Sequence, residues 1–267
     1  MYNLHTRGCY IVRLKENPKK IRLDKLLLDR GLVPSRERAQ ALILAGNVLV
    51  DDQKVTKAGT LVSSSSQLRL LAEDLKYVSR GGLKVESALD YWTIDVNGLV
   101  CLDVGTSTGG FTDCLLQRGA ARVICVDTGH GQIAFKLRQD PRVRLLEKTN
   151  ARYLTREQLV EAVDLIVMDV SFISATLVLP AVIAAAFTEN TSERVERKVI
   201  VLVKPQFEAG KENVGKGGIV RDEGIQQQAV EKVRACVKFL GAKSTDVMDS
   251  PILGNEGNRE FLLMAQF

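Results

Sequence analysis

Residues 99–120, LVCLDVGTSTGGFTDCLLQRGA, decide the fold of this 267-residue chain. An apolar run leads into Asp103, and a glycine-rich loop then leads into a second apolar stretch at 111–116, which predicts a strand, a tight loop and a helix. The loop glycines are Gly105, Gly109 and Gly110. Glycine allows the backbone to turn tightly and to approach a ligand, so the loop predicts a site for a nucleotide-type cofactor.

Further apolar runs rich in β-branched residues follow the same pattern and are separated by helical or loop segments. They lie at 99–102, 123–126, 165–168 and 198–203, with a closing run at 261–265. Alternating strands and helices predict a doubly wound α/β domain whose ligand lies at the carboxyl ends of the strands.

Charged residues recur at these predicted strand ends. Asp127 ends the second run, and Asp169, Lys204 and Glu260 lie beside the later ones, whereas Lys84 precedes the first strand. Because charged groups are costly to bury unless they are paired, their recurrence predicts one polar cluster. Taken singly, Lys84 is equally compatible with a surface helix and Glu260 with an edge strand.

The first third of the chain shows a different pattern of predicted helices and strands. Residues 21–50 predict two short helices joined by a turn at Gly31, with Ser35 as the N-cap of the second, followed by short strands up to residue 71. Residues 1–20 show no periodicity and are interpreted as a basic tail, and the charged residues 73–80 as a joint between domains.

Charge is unevenly distributed. Through Lys84 the chain has 16 Lys and Arg against 8 Asp and Glu, whereas the remainder has 21 against 24. A concentrated basic region suits a polyanion such as nucleic acid, although a solvated charged face is the alternative.

The composition argues against several other classes of protein. The five cysteines show no CxxC spacing and there are only two histidines, so we expect neither a zinc site nor a disulfide framework, and no metal. The longest apolar stretch, 176–187, is too short for a membrane span, and residues 1–20 lack the features of a secretory signal. These observations lead us to expect a cytoplasmic protein.

The glycine loop resembles the D-x-G-x-x-x-G-G loop of methyltransferases that use S-adenosyl-L-methionine. The resemblance implies that the cofactor lies against Asp103, Gly105, Ser107, Gly109 and Gly110. It also implies that Asp127 accepts hydrogen bonds from the cofactor ribose and that Asn150 lies near the adenine. Ser107 stands where the G-x-G-x-x-G dinucleotide pattern has its second glycine, which makes a nicotinamide oxidoreductase a weak alternative.

The order Lys84, Asp169, Lys204, Glu260 resembles the catalytic tetrad of FtsJ-like RNA 2′-O-methyltransferases. The segments YVSRGGLK, DVGTSTGGFTDCLL, MDVSFIS, VKPQFEAG and VGKGGIVRD resemble the hemolysin A (TlyA) family across about residues 21–267. That likeness implies a Rossmann-like methyltransferase domain at 81–267 and methylation of cytidine riboses in ribosomal RNA. Lys204 would act as base or stabilise an alkoxide, Asp169 would orient it near the sulfonium, and Lys84 and Glu260 would hold the ribose.

Residues 21–72 resemble the α-L RNA-binding module of ribosomal small-subunit protein four, which implies that residues 21–80 comprise a small α+β RNA-binding domain and its linker. In that family the helix pair presents basic side chains to the RNA backbone, here Arg22, Lys25, Arg36 and Arg38. The alternative is that these side chains only solubilise a helix face.

The loop 210–222 is a candidate lid that closes on RNA or cofactor, with Lys216 and Arg221 as RNA contacts. Phe172 and Phe207 are candidates for stacking on a splayed nucleotide, with core packing as the alternative.

Two functions of other classes stay open: a non-catalytic protein that binds ribosomal RNA, and a membrane-active hemolysin. No spanning helix or amphipathic hairpin is evident for the latter.

Overall fold

The computed structural model describes residues 19–33, 35–71, 76–187, 196–254 and 257–267. The chain separates into two units, Met1–Asp74 and Leu75–Phe267. Most of the predicted basic tail at 1–20 lies outside the described residues, as does part of the predicted joint at 73–80.

The first unit contains two short helices and short antiparallel strands. The helices are α1 (Leu23–Asp29) and α2 (Arg36–Leu44), and the strands are β1 (Lys20–Arg22), β2 (Val48–Val50), β3 (Gln53–Lys54), β4 (Leu61–Ser63) and β5 (Leu68–Leu70). The Ser35 side chain accepts a hydrogen bond from the Arg38 backbone N–H at 3.2 Å, so the predicted N-cap is confirmed.

The two helices bury the apolar face that their sequence spacing predicts. Leu23 and Leu27 of α1 and Ile43 of α2 are fully buried, and they pack with Val48 and Val62 from the strands. β2 pairs with β3 and β5, and β1 pairs with β4. The unit is therefore a small α+β fold around its own core.

The second unit alternates strands and helices along most of its length. Its strands are β6 (Val100–Val104), β7 (Arg122–Val126), β8 (Val143–Leu146), β9 (Leu165–Met168), β10 (Lys198–Val203), β11 (Ser244–Asp249) and β12 (Phe261–Gln266). Its helices are α3 (Gly81–Tyr91), α4 (Gly110–Gln117), α5 (Phe135–Arg138), α6 (Arg156–Leu159), α7 (Leu179–Ala186), α8 (Pro205–Glu208) and α9 (Glu223–Phe239). Single 3₁₀ turns lie at Ala151–Tyr153, Ala175–Leu177 and Lys211–Asn213.

These strands form one sheet in the order β11-β12-β10-β9-β6-β7-β8. β12 runs antiparallel to both of its neighbours, and the strands from β10 to β8 pair in parallel. The chain builds outward from β6 to β8 and then returns to place β9 on the other side of β6. The ligand crevice of such a fold lies at this reversal, at the carboxyl ends of β6 and β9.

Both faces of the sheet are covered, as the doubly wound class requires. Leu102, Ile166 and Val201 point toward one apolar cluster, which contains residues of α7 and α9. Their chain neighbours Cys101 and Ile200 point toward the other, which contains residues of α3 and α4. The predicted Rossmann-like α/β class is confirmed.

Four of the five cysteines lie in the described residues, and Cys101, Cys114 and Cys125 are buried as free thiols. Burial raises the pKa of the Cys114 thiol to about 11 and that of the other two further still. Within the described ranges, no group of three His, Cys, Asp or Glu side chains is arranged to hold a metal ion.

Candidate active site

Two adjoining cavities open at the carboxyl ends of β6 and β9. The first, here the lysine cavity, has a volume of about 350 Å³ and is lined by both Lys84 and Lys204. The second, here the Asp127 cavity, has a volume of about 440 Å³ and is lined by Asp127 and Asn150. Both volumes are in the range of small-molecule sites. The two cavities share Gly105, Ser107, Asp169 and Ser171, so together they form one crevice.

The glycine loop between β6 and α4 separates the two cavities, and its backbone conformation is unusual. Gly105 and Gly109 have positive φ angles of 84° and 94°, and Ser107 also has a positive φ of 50°. Ser107 thus adopts the left-handed conformation that glycine would favour at this position. Gly110 lines the lysine cavity, whereas Gly109 lines neither cavity and packs against Leu137.

Asp103 lies at the floor of the lysine cavity and is 1% exposed. Its Oδ2 accepts hydrogen bonds from the Thr112 hydroxyl at 2.6 Å and the Thr112 backbone N–H at 3.1 Å. Its Oδ1 has no hydrogen-bond partner among the described residues. Burial raises the pKa of this carboxyl to about 7, an effect that the Asp169 charge strengthens and the Thr112 hydrogen bonds oppose.

Asp127 follows β7 directly, and its carboxylate is held by the backbone. Its Oδ2 accepts from the Ser107 N–H and its Oδ1 from the Gly129 N–H, each at 2.7 Å. Each carboxylate oxygen keeps a second lone pair for a ligand donor. Asn150 lies beyond β8 and lines the same cavity, where its side chain accepts from the Arg152 N–H at 3.1 Å.

Lys204 and Asp169 form the first ion pair of the lysine cavity. Lys204 Nζ lies 2.6 Å from Asp169 Oδ1, in a charge contact that is not aligned as a hydrogen bond. Nζ also donates to Ser171 Oγ at 2.7 Å. The Lys204 side chain is 11% exposed, so the ammonium lies in the wall of the cavity with two fixed partners.

Lys84 and Glu260 form the second ion pair of this cavity. Lys84 Nζ donates to Glu260 Oε2 at 2.5 Å, and both side chains are buried. Lys84 lies on α3 and Glu260 directly precedes β12, so this bond joins groups 176 positions apart in the chain. Removing one partner of a buried pair leaves an uncompensated charge, which makes the pair costly to break.

The structure thus brings the four predicted catalytic residues to one cavity. The eight predicted cofactor residues also lie in this region, although Gly109 lines neither cavity. Two further residues of the lysine cavity, Ser79 and Ser171, escaped the sequence analysis. Both lie within segments that resemble the hemolysin A family, YVSRGGLK and MDVSFIS, and this is the only signal for them in the sequence.

The predicted lid at 210–222 is tied to the segment that carries Glu260. The buried Asn258 accepts from the Val220 N–H at 3.0 Å and donates to the Gly218 carbonyl at 2.9 Å. Lys216 and Arg221 are exposed, and Arg221 lines a neighbouring cavity that shares Leu253 with the lysine cavity. The lid function stays a prediction.

The two candidate stacking residues differ in exposure. Phe172 is 92% exposed, has a positive φ of 63° and lines the Asp127 cavity. Its ring lies 5.4 Å from that of Phe207, centroid to centroid, and Lys204 Nζ lies 5.9 Å from the Phe207 centroid. Core packing is therefore excluded for Phe172.

The four basic residues predicted to contact RNA lie in the first unit, and a buried carboxylate organises two of them. Asp24, fully buried, accepts from Arg22 at two points, both 3.0 Å, and from Arg36 Nε at 2.9 Å. The Arg22 guanidinium holds the pKa of Asp24 well below its usual range. Both arginine side chains remain about half exposed, and Lys25 is exposed beside them.

Comparison with known proteins decides the family. A model described as FtsJ-like methyltransferase matches residues 77–267, which is more than two thirds of the chain. This chain belongs to the FtsJ-like methyltransferase family. A second model, described as S4 domain, matches residues 21–68, so this family member also carries an RNA-binding S4 module at the position that the sequence predicts.

Similar proteins of known name cover nearly the whole chain. The 16S/23S rRNA (cytidine-2′-O)-methyltransferase TlyA of Mycobacterium tuberculosis is 44% identical over 92% of this chain and 89% of its own length. Hemolysin A of Brachyspira hyodysenteriae is 39% identical over 91% and 98%, respectively. A solved structure labelled a hemolysin, from Streptococcus thermophilus, is 41% identical with a TM-score of 0.68 and covers 93% of this chain and 88% of that one. The predicted resemblance to the hemolysin A family is confirmed.

Some of these relatives bear a name that refers to membrane lysis. Within the described residues, none of the helices combines the length and the apolar character needed to cross a lipid bilayer.

Proposed function

We propose that this protein transfers a methyl group from S-adenosyl-L-methionine to a ribose 2′-hydroxyl of ribosomal RNA, with cytidine as the nucleotide. The observation that carries the proposal is the convergence of Lys84, Asp169, Lys204 and Glu260 on one cavity beside the glycine loop. The names of the relatives support ribosomal RNA as the substrate and the 2′-oxygen as the acceptor.

The crevice has the donor and acceptor groups that this cofactor requires. Asp103 offers a buried carboxylate oxygen that no described residue hydrogen-bonds, which suits the α-ammonium group of a methionine moiety. Asp127 offers two oxygens for ribose hydroxyls, and Asn150 lies further along the same cavity for the adenine. The backbone of Gly105, Ser107 and Gly110 lines the crevice between them. When bound, S-adenosyl-L-methionine supplies an electrophilic methyl group on a sulfonium.

The residues of the lysine cavity handle the 2′-hydroxyl. A hydroxyl is a weak nucleophile, so catalysis consists of positioning and of managing one proton. Lys204 Nζ is the atom placed to do this: as a neutral amine it takes the proton, and as an ammonium it stabilises the alkoxide while the proton passes to solvent. Asp169 and Ser171 hold Nζ in place, at 2.6 Å and 2.7 Å. The Lys84–Glu260 pair fixes the opposite wall and holds the ribose.

The remaining parts bind the RNA. Arg22, Lys25, Arg36 and Arg38 in the first unit contact phosphates and set the position of the protein on the RNA. Phe172, which is exposed at the mouth of the crevice, stacks on a nucleotide turned out of its helix. Lys216 and Arg221 add phosphate contacts beside Glu260. In this arrangement residues 21–80 form the RNA-binding domain with its linker, and residues 81–267 the catalytic domain, of a protein that works on ribosomal subunits in the cytoplasm.

Calorimetry and methyl transfer test the proposal together. We expect S-adenosyl-L-methionine to bind the purified protein at one site, and a labelled methyl group to pass from it into RNA of unmodified ribosomal subunits. Cofactor binding without transfer to any ribosomal RNA would leave the proposed substrate without support, and absence of binding would remove the proposed cofactor. Asp127→Ala serves as the variant expected to lose cofactor affinity, and Asp95→Ala, an exposed aspartate outside the crevice, as its matched control.

A further inference from the structure

Glu208 joins the two loops that carry Asp169 and Lys204. We propose that it is a positioning residue, which sets Lys204 relative to Asp169 and acts through Lys204, a role that rests on the methyl transfer proposed above. Glu208 was not among the residues selected from the sequence.

The position of Glu208 links it directly to Lys204. Lys204 occupies the N-cap position of α8, and Glu208 is the last residue of this single-turn helix. Glu208 is 6% exposed, so its carboxylate lies inside the protein, whereas the Lys204 ammonium at the other end of the turn faces the lysine cavity. A shift of Glu208 therefore moves the short helix that Lys204 begins.

The partners of the Glu208 carboxylate belong to the other loop. Its Oε1 accepts from the Ala175 backbone N–H at 2.6 Å, and its Oε2 accepts from Ser174 Oγ at 2.5 Å. Ser174 caps the 3₁₀ turn that follows β9, five positions after Asp169. Two hydrogen bonds to one carboxylate thus tie the loop after β9 to the loop after β10.

A lysine of α9 offsets the cost of burying the negative charge of this carboxylate. Lys232 of α9 lies 3.3 Å from Oε2, and its Nζ also donates to the Glu208 carbonyl at 2.9 Å. A buried carboxylate is costly without such partners, and an apolar side chain could fill the same space without this cost. A carboxylate with three such partners at this position therefore serves to make the hydrogen bonds to Ser174 and Ala175.

The two loops consequently touch at two places. At the cavity, Lys204 contacts Asp169 and Ser171, and behind the cavity, Glu208 holds Ser174 and Ala175. The rear connection fixes the register of the loops and thereby the position of Nζ at the front. Because a displacement of about 1 Å in a reacting group can cost roughly 100-fold in rate, the rear connection controls turnover without touching substrate.

A double-mutant cycle tests this role. We expect Glu208→Ala to lower kcat roughly 10- to 100-fold while KM for RNA and the affinity for S-adenosyl-L-methionine change less than about threefold. Glu208→Gln, which keeps one acceptor oxygen for the Ala175 N–H, should recover part of the loss. In a Lys204→Ala background, Glu208→Ala should reduce the residual rate no further, because the residue acts through Lys204.

Glu231→Ala is the matched control, since it removes an exposed carboxylate of α9 adjacent to Lys232 and should leave kcat unchanged. If Glu208→Ala lowers the rate by the same factor with and without Lys204, the effect is a general structural one and the inference is overturned. An unchanged kcat overturns it as well. Should Glu208→Ala fail to fold, Ser174→Ala, which removes one donor from the same connection, takes its place in the cycle.

A crystal structure of Glu208→Ala, or of Ser174→Ala should the former fail to fold, separates this inference from the proposed function. The inference expects the 2.6 Å contact between Lys204 Nζ and Asp169 to lengthen, and an unchanged contact overturns it whatever the activity. A wild-type protein that transfers no methyl group would refute the proposed function, and the same crystallographic comparison would still decide whether Glu208 positions Lys204.

Discussion

At the scale of single residues, Asp103 shows how burial changes the pKa and the hydrogen bonding of a side chain. The sequence places this aspartate at the end of a strand before a glycine loop, and the structure confirms that position. The sequence does not reveal that its Oδ1 has no hydrogen-bond partner in the part of the chain that the structure describes, or that burial raises its pKa to about 7. Both properties depend on side chains from α4 and from the loop after β9.

Asp103 is expected to make stability depend on pH. Between about pH 4 and about pH 7 the folded state holds a proton on Asp103 that the unfolded state releases, so the free energy of unfolding falls as the pH rises through this window. Asp103→Asn removes this dependence. Relative to wild type, the variant should therefore gain roughly 2 to 3 kcal/mol between about pH 5 and about pH 8 in thermal or denaturant unfolding.

Comparison of each variant with wild type at both pH values cancels the contributions of other carboxylates, such as Asp24, whose lowered pKa makes stability fall as the pH drops. Asp95→Asn, at an exposed aspartate, should show no difference between the two pH values. An Asp103→Asn variant that behaves like Asp95→Asn would show that Asp103 is ionised in the folded protein.

At the scale of elements, the strands predicted from the sequence are the buried ones. β9 and β10 have the predicted bounds, and β6, β7 and β12 differ from them by one or two residues. The apolar runs do not predict β8 and β11, which are the two edges of the sheet. An edge strand buries less of its surface, so β8 contains Arg144 and β11 alternates polar and apolar residues instead of forming an apolar run.

The glycine loop fulfils a further requirement that its sequence did not show. A Cβ on Gly105 would lie 2.3 Å from the Asp169 carbonyl oxygen, and one on Gly110 would lie 2.2 Å from Ser79 Oγ. These glycines thus line the crevice on one side, and on the other side protein atoms occupy the space that a Cβ would need. The neighbours come from distant parts of the chain, so no local pattern could reveal them.

Gly105→Ala separates this close packing from backbone strain. Gly98 provides the control, because it also has a positive φ, of 75°, but has open space where a Cβ would lie. We expect Gly98→Ala to cost about 1 to 2 kcal/mol in the free energy of unfolding and to leave cofactor affinity unchanged. Gly105→Ala should cost more and should weaken S-adenosyl-L-methionine binding at least tenfold in calorimetry, because the Asp169 loop must move.

Equal effects of the two substitutions on stability and cofactor binding would contradict this account of the loop. The contact with Asp169 would then have no energetic weight beyond the strain that any alanine with a positive φ experiences.

At the scale of the whole molecule, the asymmetry of charge predicts which part of the chain contacts RNA. The resemblance to the α-L module implies that Arg22, Lys25, Arg36 and Arg38 form the basic face, and the sequence offers no sign that the buried Asp24 holds two of these arginines. Lys25 is exposed, and within the described residues its ammonium makes no ion pair or hydrogen bond, so its substitution changes the charge of the face with little effect on packing.

Lys25→Ala is expected to weaken RNA binding through charge alone. Loss of one phosphate contact should reduce the slope of log affinity against log salt concentration by about one, and turnover at saturating RNA should not change. Binding titrations at several salt concentrations measure the slope. Lys54→Ala, at an exposed lysine of β3 in the other sheet of the same unit, should leave the slope unchanged, and an equal change in both variants would argue against a defined RNA-binding face.

The convergence of the four charged residues could be predicted only in part. Asp169 and Lys204 follow adjacent parallel strands, whose carboxyl ends meet by the geometry of the fold. Glu260 precedes an antiparallel strand and so reaches the same edge. Lys84 lies on a helix before the first strand, and no strand-end rule places it, so its position was predicted from the cost of burying unpaired charges and from the family resemblance.

The identity of the methylated atom tests the central claim most directly. Ribosomal subunits that lack the modification are incubated with labelled S-adenosyl-L-methionine and either wild-type protein or Lys204→Ala, and the RNA is digested to nucleosides for mass spectrometry. The account predicts label on the ribose 2′-oxygen with wild type, and at least a 100-fold lower rate with Lys204→Ala despite retained cofactor binding. Label on a base, or full activity of Lys204→Ala, would contradict it.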